Sequence, residues 1–294
     1  MRPSALTLIK RSCLLGMTAW LASGCSTGQL VVRGTQPILD GGIVAMNRET
    51  DLDLAQAAMP ANLKLLEGML VEDPGNTRLQ LYAAEGFYGY TFGFVEQYDT
   101  RRARHLYRRC YEHARKALVQ SGVRPDPENS TPDEFEAAVS RAGKHAVPAM
   151  FWTASCLANW INLKRDSPTG IAQLASAAVL MQRVLTLDDT FYHAGPHLFF
   201  GVYYGGRSPM FGGDYALAEK HFKRAAEIND NKLLLVDVLE ARYLDRQRLD
   251  RDAFIRHLQH VIDAPDNLSP DLALINAVAK QQAAELIKAE GEWF

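Results

Sequence analysis

The sequence predicts an all-α fold of stacked helix pairs, and three observations carry that expectation. Apolar residues recur at spacings of three and four, alanine is frequent, and strand signals are scarce. Turn formers such as Asp73-Pro74-Gly75-Asn76 and Ala264-Pro265-Asp266-Asn267 cut the pattern into short helical lengths. One arrangement, a small residue, a ring and a small residue on one helical face, returns along the chain.

Residues 1–24 read as an export signal. Arg2, Lys10 and Arg11 form its positive end, and the apolar run Ser12 to Ala22 is too short for an ordinary membrane-spanning helix. Small residues precede Cys25, and Leu21-Ala22-Ser23-Gly24-Cys25 resembles the lipobox of bacterial lipoproteins. The resemblance implies that Cys25 becomes an acylated N-terminus, with palmitate among its chains. Ala22 departs from the leucine usual at its position, and a soluble exported protein cut nearby is the competing reading. Ser26, where aspartate would imply inner-membrane retention, implies by resemblance the outer membrane, facing the periplasm. Residues 25–36 read as a tether and 37–294 as one helical-repeat domain.

Cleavage would leave 270 residues, enough for a substantial core. Losing the three signal cations takes the formal net charge from −2 to −5, so no broad attraction to nucleic acid is expected. Cys110 and Cys156 each sit inside an apolar helical pattern, which favours two buried thiols over a disulfide.

The periodicity places helices at Asp51 to Met59, Asn62 to Glu72, Arg78 to Glu96 and Arg101 to Gln120. The arginines of the last read as a solvated face partnered by Glu112 rather than a nucleic-acid patch. After a loop, Thr131-Pro132-Asp133-Glu134 has the residues of a helix start: a cap, a first-turn proline and two acids. Pro148 to Leu163, Pro168 to Leu187, Tyr192 to Tyr204, Asp214 to Ile228, Lys232 to Tyr243 and Arg251 to Val261 follow. Ser269-Pro270-Asp271 opens the last helix, running to about Ala289. Short connections between them imply antiparallel neighbours.

In GGDYALAEKHFKRAAEIND, residues 212–230, Ala218, Phe222 and Ala225 put two small residues and a ring on one face. This resembles the second half of a tetratricopeptide repeat, where small residues admit a partner helix and the ring fills the groove beside it. Ala103, Tyr107 and Cys110 repeat the spacing, and Ala178, Met181 and Leu185 do so loosely. The alternative is an irregular helical bundle.

Four stretches in this order resemble the T component associated with tripartite ATP-independent periplasmic (TRAP) transporters. They are YAAEGFYGYTFGFVE (residues 82–96), Trp152 through Trp160-Ile161-Asn162, Tyr192 to Gly206, and Phe211-Gly212-Gly213 leading into the Ala218, Phe222, Ala225 helix. The resemblance covers nearly the whole mature chain. It implies a right-handed superhelix of degenerate tetratricopeptide-like helix pairs and a non-catalytic partner of a periplasmic solute-binding protein. It also implies a homo-oligomer, a trimer with a hydrophobic channel in each subunit, held to the membrane only by its lipid anchor. The competing function is a general envelope scaffold or assembly protein with no small-molecule ligand.

No reactive constellation emerges from the residues. His193 and His197 are four apart but have Gly195 and Pro196 between them and no third ligand, so no metal is expected. His257 and His260 read as surface. The glycines of GGRSPMFGG lack the lysine-serine ending of a phosphate loop, and no GxSxG is present. An enzyme and a cofactor are therefore not expected. Rings interleaved with glycines offer the walls of an apolar pocket or channel instead. Its candidate residues are Tyr88, Phe92, Trp152, Trp160, Tyr203 and Tyr204, with Asn162, His193 and Arg207 as polar contacts for an organic acid. Arg207, just past a helix end, is open to two uses, the channel mouth or capping of helix carbonyls. For any one ring, core packing is the competing role.

Overall fold

A computed structural model describes residues 27–125, 127–128, 130–163 and 168–294; Cys25 and the signal lie outside the described residues. Every regular element among them is helical. The chain runs through α1 (Thr27–Gly34), α2 (Gln36–Asn47), α3 (Leu52–Glu72), α4 (Thr77–Phe94), α5 (Thr100–Gln120) and α6 (Pro132–Ser140). It continues through α7 (Val147–Asn162), α8 (Pro168–Leu187), α9 (Phe191–Gly205) and α10 (Tyr215–Ile228). Then come α11 (Leu235–Glu240), a π-helical turn (Ala241–Asp245), one further helical turn (Arg246–Arg248), α12 (Arg251–Asp263) and α13 (Ala273–Lys288).

Helix starts follow local chemistry. Asp51, Asn76, Asp99, Asp214 and Asp250 each accept a backbone N–H from the first turn they open. Thr131 and Glu134 close a reciprocal capping box on α6. Successive helices then stack: α4 on α5, α5 on α7, α7 on α8, and α9 on α10. This is the architecture of a tetratricopeptide-like α-solenoid. Its packing logic is plainest at α10, where Ala218, Phe222 and Ala225 are all fully buried. A Cβ on Gly201 of α9 would come within 2.6 Å of the Phe222 ring, so only glycine leaves that groove open.

Four local features differ from the sequence reading. Thr27–Gly34, read as tether, is helical, and its Val32 packs with Leu70, Leu79 and Ala83. Helix α3 continues through Pro60 where a break was expected; proline there forfeits one backbone bond without ending the helix. Cys110 and Cys156 form a disulfide, because α5 packs on α7 and brings the two Cα atoms to 5.6 Å, within bridging range. The expected pair of free thiols is thus replaced by a cross-link. Lastly, α9 opens on three residues in the left-handed region, Tyr192, His193 and Ala194, with φ of 47°, 58° and 62°. Such a run is costly for residues carrying a Cβ and turns the chain sharply before its right-handed part.

Candidate functional site

The stack encloses a cavity of about 550 Å³. Ile43 and Met46 of α2, Met59 and Leu63 of α3, and Leu239 and Ile275 from the C-terminal helices form its aliphatic walls. The aromatic wall comes from α4, α7 and α9. Trp152 is packed by Tyr88 at 5.5 Å, Phe151 at 5.0 Å and Tyr192 at 4.7 Å between ring centres. Phe92 stacks on Tyr88, and Phe199 on Tyr203. The α4 glycines divide in use. A Cβ on Gly86 would meet Leu63 at 2.8 Å, so that glycine allows close approach of α3. Gly89 and Gly93 face the cavity and leave it room.

Few polar groups interrupt these walls. The Asn159 amide donates to the Tyr88 hydroxyl at 2.8 Å, and burial pushes the Tyr88 pKa up. The Tyr192 hydroxyl donates to Glu85 Oε1 at 3.1 Å. Burial raises the Glu85 pKa, with the Tyr192 hydrogen bond opposing, and among the described residues no cation pairs with it. Tyr192 is 41 % exposed and lines the cavity; desolvation, then the Glu85 charge, push its ionisation up. Arg207 bonds a helix carbonyl and also lines the cavity. Its Nε donates to the Tyr203 carbonyl at 2.8 Å, and its guanidinium lies 3.7 Å over the Tyr203 ring. Its Nη2 is buried without a hydrogen-bond partner.

Of the residues the sequence singled out, Tyr88, Phe92, Trp152, Asn162, His193, Tyr203 and Arg207 lie on the cavity wall. Trp160 and Tyr204 do not. Trp160 stacks on Tyr111 with Arg108 4.6 Å above it, because its side of α7 faces α5. Tyr204 stacks between Phe200 and His221 in the contact with α10. Both are packing residues in this geometry. Glu85 was missed; its signal was a lone acid within an aromatic helix.

His197 leaves His193 and faces His221, Nδ1 to Nδ1 at 2.9 Å, with Asp189 3.6 Å from its Nε2. Among the described residues no group of three or more potential ligands is placed to hold a metal. His257, read as surface, is half-buried and reaches inward to the buried Asp245. It pairs with Asp245 at 2.8 Å, and that hydrogen bond, more than neighbouring charge, raises its pKa. Beside it, burial lifts the Glu240 pKa to about 7.

An all-helical solenoid around an apolar cavity with a few isolated polar groups is the form of a binding or carrier module. A family model for the TRAP transporter T-component matches residues 48–294, and the chain belongs to that family. The family is a non-catalytic transport-accessory family of the cell envelope. No curated protein matches the chain. No helix among the described residues is long and apolar enough to cross a membrane.

Proposed function

We propose that this T component docks a periplasmic solute-binding protein of a TRAP-type transporter and holds or passes an apolar, carboxylate-bearing solute through its cavity. The observation that carries this reading is the cavity itself, apolar over most of its wall and offering the unpaired Nη2 of Arg207. A guanidinium with a free donor, braced on a ring, is suited to a carboxylate. Tyr88, Phe92, Trp152 and Tyr203 would contact the apolar body, with Asn162, His193 and Glu85 as further polar contacts. An acyl anchor at Cys25 would hold the chain at the outer membrane, facing the periplasm, and the family resemblance supports a trimer.

Native mass spectrometry of residues 26–294, purified gently from their own periplasm, tests the proposal. It reports subunit count, retained solute and co-purified binding protein together. A retained organic acid whose occupancy falls at least tenfold in Arg207→Gln supports the reading. A chain that stays empty with candidate acids, and alone with the binding protein, overturns it.

A further inference from the structure

The N-terminal helices combine exposed apolar residues with charges that pair back to the body. α1 and α2 precede the residues matched by the family model, which begin at Arg48. Between residues 27 and 48 the charged side chains are Arg33, Asp40 and Arg48, and each is tied back to the body. Arg33 pairs with Asp73 at 3.0 Å, Asp40 with Arg78 at 2.7 Å and with the Tyr82 hydroxyl, and Arg48 with Asp271 at 2.7 Å. Some of the apolar residues are turned the other way. Leu30 is 69 % exposed, Val31 63 % and Val44 45 %. Although α2 is rich in apolar residues, it has no fully buried residue.

A surface segment with its charges engaged inward and aliphatic residues outward is built to meet something apolar. The position of the chain start says what. Cys25 is two residues before α1, and two residues span at most about 7 Å. An acylated Cys25 therefore leaves α1 no room to stand away from the bilayer. Short apolar helices lying in the interface next to a lipid anchor add their buried apolar area to its hold.

We propose that the outward face of α1 and α2, around Leu30, Val31 and Val44, rests on the lipid surface. This rests on the reading of Cys25 as the anchor. The other side of α2, with Leu39, Ile43 and Met46 and with Ile38 at its edge, is cavity wall. One helix, about 10 Å across, then separates the cavity from lipid.

The test uses the full-length protein, expressed with its signal and reconstituted in phosphatidylcholine vesicles. Single cysteines are introduced as Val31→Cys, Val44→Cys and, as a control on α12, Ile262→Cys, and carry an environment-sensitive fluorophore. These positions are exposed, so the fold tolerates them. With nitroxide-labelled lipid in the vesicles, emission at 31 and 44 should shift to the blue and fall at least twofold, while 262 changes little. Labels at 31 and 44 as water-exposed as 262, on protein that floats with the vesicles, would overturn the proposal. So would shielding that appears without lipid and grows with protein concentration, which would mean a second copy covers the face. If mass analysis finds Cys25 unacylated, the anchor reading fails separately. The same labels on that protein, mixed with vesicles, then decide the surface alone: quenching sustains it and none overturns it.

Discussion

Two regions of the molecule use one packing rule with opposite results. In the α9–α10 contact, Phe222 seats between Ala218 and Ala225 and against Gly201, fully buried, and Phe200, Tyr204 and His221 stack on one another beside it. In the α4–α7–α9 region, rings occupy several sides of each helix. A helix in a stack has only two packed faces, so Phe87 and Trp160 are buried while Tyr88, Phe92, Phe199 and Tyr203 are left against open space. Rings matched to small residues and to one another make a solid joint. Rings in excess of grooves prop the helices apart and line a cavity.

That contrast can be broken by truncation. Phe222→Ala should cost about 3–5 kcal/mol in urea unfolding, because the ring is enclosed on all sides. Replacing Cys110 and Cys156 together by alanine should cost about 2–4 kcal/mol, since the bridge closes a loop with a sequence separation of 46. Phe199→Ala should cost only about 1–2 kcal/mol, because one side of the ring already faces the cavity and has no contacts to lose. A Phe199 loss equal to that of Phe222 would mean that the cavity is packed shut in solution.

The smallest effect concerns Glu240, whose pKa is raised by burial from 4.5 to about 7. A raised carboxyl pKa means that the folded state holds the proton more tightly. The cost of ionising Glu240 is absent below about pH 4.5, grows as pH rises, and is complete above about pH 7. Glu240→Gln should therefore match the wild type at pH 4.5 and exceed it by about 1 kcal/mol at pH 8, allowing for partial exposure. His257, whose pKa is raised by its Asp245 bond, loses its own stabilising charge over a rising-pH limb of the same sign. Paired melts at the two pH values check both.

Local pattern carried much of the fold. The Ala218, Phe222, Ala225 face and the Thr131–Glu134 cap are short-range chemistry, legible because every participant lies within one or two turns. The candidate site was legible in composition but not in geometry. Which rings face space depends on partners far along the chain: Asn159 meets Tyr88 across 71 residues, and Tyr192 meets Glu85 across 107. Trp160 and Tyr204 look like Trp152 and Tyr203 in sequence, and only the placement of α5 and α10 separates them. The disulfide was hidden for the same reason, since each cysteine satisfies an apolar helical pattern alone. Helix α1 was missed because it is short and its docking rests on one buried side chain, Val32.

Gly89→Phe tests the central claim, that the cavity exists to hold a solute, most directly. Gly89 lines the cavity, and a Cβ there meets only the flexible end of Met59, at an ordinary 3.7 Å. The new ring would occupy the space while removing a mid-helix glycine, so stability should hold or rise. Native mass spectrometry of wild type and variant, prepared side by side, should find solute on the first and at least tenfold less on the second, with an unchanged melting temperature. Equal retention by both, or an empty wild type beside a variant that differs only in stability, would contradict the account.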